Sequence, residues 1–206
     1  MEKYKITLTQ FCNYISKTGM HRYNAAKAIM RELQTEYNYP TDYWGQLRSR
    51  ISYVLSHSGK AEDLDSIVDE VPVDRRDNYR EKVEGIKKFW KKRTLTKLSV
   101  PKKVWKYKNL RINVSPEMCF AYGDKTFVIK LFFSSKDKKI TKNEADVLLE
   151  VIRVTLGLNP REVTIGILDV SKGKLFTYSN NSDALCRFIR TEAESLYTNL
   201  IDISNW

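Results

Sequence analysis

The sequence predicts an α+β fold, in which a helical N-terminal domain precedes a sheet domain with flanking helices. Apolar residues recur at helical spacing through most of residues 1–97, with few strand patterns. From Trp105 onward, alternating apolar and polar side chains and later helical stripes give the element order β-β-β-α-β-β-α. We therefore divide the chain into a helical domain at residues 1–97 and a sheet domain at residues 98–206.

Four or five helices are predicted in the first domain. Thr7-x-x-Gln10 has the form of a capping box, and Gly19 is expected to end the helix that it opens. A second apolar stripe covers about residues 22–37. The longest stripe, at about residues 74–95, predicts a helix that reaches the boundary between the two domains.

Three strands are predicted at the start of the second domain. Residues 104–114 alternate as a strand does, and two further strands at 118–122 and 126–133 flank a tight Gly-Asp turn. Thr141-x-x-Glu144 is a second capping box and opens the helix that follows. A near-continuous apolar run at residues 163–170 then predicts a strand that is buried on both faces.

The net charge of +11 is concentrated in one short stretch of the chain. Residues 87–111, called the basic segment below, hold eleven Lys and Arg residues and no Asp or Glu. The remaining residues carry equal numbers of acidic and basic side chains. A local excess of positive charge predicts an anionic partner. Because lysine outnumbers arginine in the segment, contacts to a phosphate backbone are favoured over the reading of bases.

The basic segment predicts a surface that binds DNA or RNA without catalysis. Its predicted nucleic-acid contacts are Lys87, Lys88, Lys91, Lys92, Arg93, Lys97, Lys102, Lys103, Lys106, Lys108 and Arg111. The aromatic residues that lie among them and would stack on unpaired bases if exposed are Phe89, Trp90, Trp105 and Tyr107. Two other interpretations stay open, a solvated basic helix end with the aromatic residues in the core, and a surface that docks an acidic protein.

Part of the basic segment is expected to continue the long helix. In that helix Lys87 and Lys91, and likewise Lys88 and Lys92, would be neighbours at i and i+4. Like charges at this spacing cost some tenths of a kcal/mol when no anion is bound.

A single lysine, Lys130, interrupts the apolar strand at residues 126–133. A lysine in a central strand is costly unless it meets an anion or reaches the edge of the sheet. One interpretation places it on an edge strand or lets its aliphatic stem carry the ammonium to solvent. The other points it toward a cluster of carboxylates at an active site.

The order of elements over residues 75–180 resembles the core of the PD-(D/E)XK nuclease superfamily: a helix, three strands with a hairpin, a helix and a further strand. This resemblance implies a divalent metal held by a carboxylate near the second strand and a (D/E)-x-K triplet on the third, whose lysine orients or activates the attacking water. The third-strand triplet here is Val128-Ile129-Lys130, so the lysine matches and the acid does not. Under this alternative the catalytic residues are Glu117, Asp124 and Lys130, and the cofactor is Mg²⁺.

Other features narrow the possible classes of protein. No apolar run approaches the ~20 residues of a membrane-spanning helix, and we expect no secretory signal and no membrane partner. The three cysteines, Cys12, Cys119 and Cys186, fit no disulfide framework and no zinc spacing, so we expect free thiols in the cytoplasm, with no metal and no cofactor outside the nuclease alternative. Asp169 ends the strand at residues 163–170, where it would cap a turn or join Glu117.

Overall fold

A computed structural model of the chain describes residues 4–35, 42–99, 102–133, 139–179 and 183–205. It confirms the α+β class. The helices are α1 (Leu8–Ile15), α2 (Gly19–Gln34), α3 (Gly45–His57), α4 (Ile67–Glu70), α5 (Arg76–Trp90), α6 (Lys142–Leu156) and α7 (Asp183–Ser204). The strands are β1 (Tyr4–Thr7), β2 (Thr96–Lys97), β3 (Lys103–Tyr107), β4 (Leu110–Val114), β5 (Met118–Tyr122), β6 (Lys125–Phe132), β7 (Val163–Asp169) and β8 (Lys174–Thr177).

The larger sheet has five strands in the order β2-β5-β6-β7-β8. β5 pairs antiparallel with both β2 and β6, whereas β6 and β7 are parallel and are joined through α6. β8 returns antiparallel to β7 after a short turn. β6 is therefore the central strand of this sheet, with two strands on either side.

A second, three-stranded sheet contains strands from both of the predicted domains. β3 and β4 form an antiparallel hairpin, and β1 pairs with β4 in parallel, with Ile6 opposite Ile112. The alternating stretch at residues 104–114 is thus two strands rather than one. Six strands precede α6, with β1, β3 and β4 in this sheet and β2, β5 and β6 in the larger one.

Two apolar clusters cover opposite faces of the five-stranded sheet, because successive side chains of a strand point to opposite faces. The first cluster combines residues of α1, α2, α6, α7 and the three-stranded sheet with Val128 and Ile165 of the larger sheet. The second combines residues of α3, α4 and α5 with Ile129 and Leu168. Both clusters and the β1–β4 pairing cross the boundary that the sequence placed at residue 97, so that boundary does not coincide with a break in the core.

The local signals at several helix ends have the predicted effect. The side chains of Thr7 and Thr141 each accept a backbone N–H of the first turn. In return, the side chains of Gln10 and Glu144 accept the backbone N–H of the respective threonine. Gly157 ends α6 in the left-handed conformation, with φ of 70°. Two expectations differ: α1 ends at Ile15, and Gly19 begins α2 instead of closing α1.

Two helices end earlier than the sequence predicts. α2 ends at Gln34, and residue 37, its predicted end, lies outside the described residues. The prediction for the long helix is wrong: α5 ends at Trp90, five residues before residue 95.

Candidate functional site

The end of α5 is set by the basic residues themselves. Lys91 leaves the helix with φ of 54° and ψ of −149°, a conformation that glycine usually adopts. Arg93 then turns back, and its guanidinium donates to the carbonyl oxygens of Phe89 and Trp90 in the last turn. Helix-end carbonyls lack partners within the helix, so this arginine acts as a C-cap. As a result Lys91 and Lys92 do not continue the helix, and the expected crowding of lysines at i and i+4 does not occur.

The basic segment passes from one side of the five-stranded sheet to the other. Its first part belongs to α5, which packs on the face of the second apolar cluster. It then forms β2, the edge strand, where Lys97 lies opposite Phe120 of β5. Its last part is the β3–β4 hairpin, which packs with the first cluster. The segment therefore wraps around the β2 edge of the sheet.

Two lysines of the segment are neutralised by carboxylates. The Lys87 ammonium lies 3.0 Å from the Asp65 carboxylate and 3.2 Å from that of Glu84. Lys108 lies 2.6 Å from the carboxylate of Glu194. These hydrogen bonds to carboxylates raise the pKa of both ammonium groups, and the bond from Lys108 lowers the pKa of Glu194. Both cations stay charged over a wide pH range, but each already has an anionic partner.

Four cations of the segment donate to neutral oxygen atoms and keep an uncompensated charge. Lys97 donates to the hydroxyl groups of Ser52 and Ser56 on α3, at 2.9 and 2.7 Å. Lys103 donates to the carbonyl of Leu156 at the end of α6, where the helix dipole favours a cation. The other two are Arg93, described above, and Arg111, which donates to the carbonyl oxygens of Lys108 and Leu110.

Five lysines complete the segment, and their side chains form no hydrogen bond or ion pair within the described part of the chain. They are exposed, and they are Lys88, Lys91, Lys92, Lys102 and Lys106. Nine of the eleven predicted contacts thus carry positive charge that no carboxylate of the described residues balances.

The aromatic residues of the basic segment do not form an exposed stacking surface. Trp90 is fully buried, and its indole N–H donates to the Gly59 carbonyl at 3.1 Å. Phe89 is also buried in the second cluster. Trp105 and Tyr107 are half-buried and stack on one another, with ring centroids 6.1 Å apart. Phe89 and Trp90 therefore have no face free for an unpaired base, and Trp105 and Tyr107 are only partly exposed.

Lys130 points toward Glu117, and its position excludes the edge-strand interpretation. It lies on β6, the central strand, and forms an ion pair with Glu117, which directly precedes β5. The two side chains are 16% and 13% exposed. The second carboxylate oxygen of Glu117 accepts the backbone N–H of Leu131 at 2.7 Å, and the Lys130 ammonium also lies 3.4 Å from the Ser115 carbonyl. Each charge is therefore paired and hydrogen-bonded.

The remaining positions of the nuclease alternative, residues 128 and 124, add no carboxylate to the pair of Glu117 and Lys130. Val128 is buried in the first cluster. Asp124 lies in the turn of the β5–β6 hairpin, about six residues along the strands from Glu117, or roughly 20 Å at 3.3 Å per residue. Within the described ranges, no three His, Cys, Asp or Glu side chains are arranged to hold a metal ion. Glu117 and Lys130 thus come together, and Asp124 does not join them.

Asp169 is fully buried at the end of β7, with the Lys172 ammonium 4.0 Å from its carboxylate. It lies opposite Phe132 and Lys174 of the neighbouring strands. Its ion pair with Lys172, three residues later, lies within the turn, and the turn-capping role of Asp169 stays a prediction.

Sequence reasoning missed two lysines that the fold places beside α5. Lys172, in the turn between β7 and β8, and Lys174, at the start of β8, line a surface groove together with Lys88. More than eighty residues separate them from Lys88, and no local pattern signals that the turn packs against α5.

Sequence reasoning also missed a buried carboxylate on α6. Glu150 is 1% exposed, and the Arg153 guanidinium donates to both of its oxygen atoms at 2.7 and 2.8 Å. Burial acts to raise the pKa of Glu150, but the hydrogen bonds from Arg153 and from the Cys186 thiol outweigh it and lower the pKa. Burial and the same carboxylate raise the pKa of Cys186, so this thiol stays protonated at neutral pH.

A scan against protein-family models and a search of the curated proteins both find no match to the chain. No helix in the described part of the chain is long and apolar enough to cross a membrane.

Proposed function

We propose that the protein binds nucleic acid through the basic segment, by contacts to the phosphate backbone. The observation that carries the proposal is the set of nine cations on residues 87–111 that no described carboxylate balances. Cations that lie along a surface without internal partners neutralise phosphates and release counterions from the nucleic acid. The buried aromatic residues leave charge, rather than base stacking, as the source of affinity.

Two backbone conformations support the same proposal. Among the residues that the structure describes, positive φ at a non-glycine residue occurs at Lys91 and Lys108, both in the basic segment. Glycine or asparagine would adopt these conformations at lower cost. A lysine at a strained position is retained more readily when its side chain serves a function.

The test compares two variants that lose the same net charge. The first reverses four unpaired lysines of the segment, as Lys88→Glu, Lys91→Glu, Lys92→Glu and Lys102→Glu. The second reverses four exposed lysines elsewhere, as Lys17→Glu, Lys27→Glu, Lys139→Glu and Lys142→Glu. Binding to labelled duplex DNA, single-stranded DNA and RNA is measured by fluorescence anisotropy between 50 and 200 mM salt, roughly the range over which several phosphate contacts lose 10³- to 10⁵-fold in affinity.

We expect the wild-type protein to bind at low salt with little sequence preference and with an affinity that falls steeply as salt rises. The segment variant should lose this binding, whereas the control variant should keep most of it. Absence of binding by the folded wild-type protein, or equal losses in both variants, would show that the proposal is wrong.

A metal-dependent nuclease of the PD-(D/E)XK type is the alternative from the enzyme class. The ion pair between Glu117 and Lys130 on neighbouring strands supports it, as does the order α5-β2-β5-β6-α6-β7 around one sheet. The apolar Val128 and the distant Asp124 count against it. Cleavage of DNA or RNA that requires Mg²⁺ or Mn²⁺ and is lost in Lys130→Ala would favour this alternative. No cleavage with either metal would remove it.

A regulator that docks an acidic protein is the remaining alternative, since the same unpaired cations would attract carboxylates. A complex recovered by pull-down that survives nuclease treatment would favour it over nucleic-acid binding. We further propose a cytoplasmic location, on the basis of three free cysteines, two of which are buried.

A further inference from the structure

A groove of about 770 Å³ lies between the C-terminal half of α5 and the turn that joins β7 to β8. Three exposed lysines line it: Lys88 from α5, Lys172 from the turn and Lys174 from the start of β8. Lys88 belongs to the basic segment, so the groove is continuous with the surface that we propose for nucleic acid. We call this feature the Lys88 groove.

Two glycines hold the turn against the helix. A Cβ atom at Gly85 would overlap the carbonyl oxygen of Val170, so the absence of a side chain permits this close approach. Gly173 has φ of 61°, and a Cβ atom there would lie 2.6 Å from the Gly85 carbonyl oxygen and 3.1 Å from the Lys88 side chain. Because the backbones are in contact, the lysines from the two elements have a fixed separation before any ligand binds.

The carboxylates in the groove already have cationic partners. Glu84 forms an ion pair with Lys87 at 3.2 Å, and Glu81 forms one with Lys82 at 3.0 Å. Lys82 is only 4% exposed, and its ammonium also donates to the hydroxyl of Ser171, which lines the groove. Glu81 is therefore balanced by Lys82, whereas Glu84 shares Lys87 with Asp65. Of the three groove lysines, Lys172 lies 4.0 Å from the buried Asp169, and Lys88 and Lys174 have no carboxylate partner within the described ranges.

We propose that the Lys88 groove holds a phosphate group of the polynucleotide that the basic segment binds, with Lys88, Lys172 and Lys174 as its cations. This inference rests on the proposed function and extends its surface by two residues from a distant part of the chain. Lysine contacts phosphate as a point charge through three N–H donors, which suits a backbone phosphate whose orientation varies along the strand.

The test leaves Lys88 and the rest of the basic segment unchanged. The groove variant is Lys172→Gln with Lys174→Gln, and the control variant is Lys27→Gln with Lys142→Gln, which removes the same charge from exposed positions elsewhere. Affinity for a labelled DNA duplex is measured over a salt series. Each lost phosphate contact lowers the magnitude of the slope of log K against log salt by about 0.9. We expect a decrease of about 0.9 for the groove variant, which corresponds to the loss of one phosphate contact, and none for the control.

A slope for the groove variant equal to that of the control would overturn the inference and leave the proposed function intact. If the wild-type protein binds no nucleic acid, the proposed function fails instead, and a second measurement decides on the groove. Sodium pyrophosphate is titrated into ¹⁵N-labelled protein while the amide signals of residues 171–174 are followed. Shifts that vanish in the groove variant would support a site for free phosphate. If no signal shifts, the groove binds neither a phosphate of a polynucleotide nor free phosphate.

Discussion

Lys130 and the lysines of the basic segment are the same residue type in opposite environments. Lys130 lies on the central strand, largely buried, with Glu117 and a backbone carbonyl around its ammonium. Lys88, Lys91 and Lys92 are exposed and have no anionic partner among the described residues. The sequence makes Lys130 conspicuous because its neighbours are apolar, yet its charge is already satisfied inside the protein. The lysines that are available to a ligand are the exposed ones whose charge no described carboxylate balances.

The largest change in stability should come from breaking the ion pair between Glu117 and Lys130. Glu117→Ala leaves the Lys130 ammonium and the Leu131 N–H without their carboxylate partner in a site that is largely shielded from water. We expect a loss of about 3 kcal/mol in the free energy of unfolding. Urea denaturation at pH 7 measures it. The exposed pair of Lys142 and Asp146 is the control, and Asp146→Ala should cost less than about 0.5 kcal/mol. Similar losses of stability in Glu117→Ala and Asp146→Ala would show that the buried pair contributes no more than the exposed one.

Removal of both charges should restore most of that stability. In Glu117→Gln with Lys130→Met no unpaired charge remains, and the Gln oxygen can still accept the N–H of Leu131. We expect this double variant to lie within about 1 kcal/mol of the wild type, because a hydrophobic replacement of a buried ion pair is often neutral. Its affinity for nucleic acid should not change. A double variant as unstable as Glu117→Ala, or one that no longer binds, would mean that the pair serves more than the fold.

The substitution Lys91→Gly should raise the stability of the protein and weaken its binding to nucleic acid. Lys91→Gly relieves a backbone conformation that costs about 1 kcal/mol or more for a side chain with a Cβ atom. We expect the free energy of unfolding to rise by about 1 kcal/mol while the salt slope of binding falls by about one unit. Thermal unfolding and anisotropy on the same samples measure the two effects. Unchanged binding would remove Lys91 from the proposed surface.

The smallest effect should separate paired from unpaired cations within the basic segment. Lys92→Gln removes a charge that no described residue balances, whereas Lys87→Gln removes one that Asp65 and Glu84 already compensate. We expect Lys92→Gln to lower the salt slope by about one unit and Lys87→Gln to lower it by less. The ratio of the two affinities at one salt concentration is the readout, and the reverse order would contradict the proposed roles.

The elements that the sequence predicted well are those whose signals are local. The capping boxes at Thr7 and Thr141 need only residues within one helical turn, and both form. The hairpin turn after Tyr122 and the buried strand at residues 163–170 also follow from neighbouring side chains. In each case the interaction that decides the structure lies within a few residues of the pattern that predicts it.

The features that the sequence did not predict depend on distant partners. β1 becomes a strand because β4, a hundred residues later, presents its edge to it. The end of α5 at Trp90 is the exception: its cause, Arg93 donating to the carbonyl oxygens of the last turn, is local, but hydrophobic periodicity does not reveal it. Lys172 and Lys174 approach Lys88 only through the close contact at Gly85. The pairing of Lys130 with Glu117 was one of two open interpretations, and the position of β6 in the sheet was needed to decide between them.

The pairing of β1 with β4, and of the first helices with the last, sets the order in which the chain can fold. The hydroxyl groups of Tyr14 and Ser195 are hydrogen-bonded at 2.7 Å, and α7 packs with α1 and α2 in one apolar cluster. The apolar faces of α1 and α2 therefore cannot complete their packing until α7, about 150 residues later in the chain, has been made. Contacts of such sequence separation slow folding and expose apolar surface to aggregation on the way. The two helices are made well before α7, yet they reach their final packing only once α7 is complete.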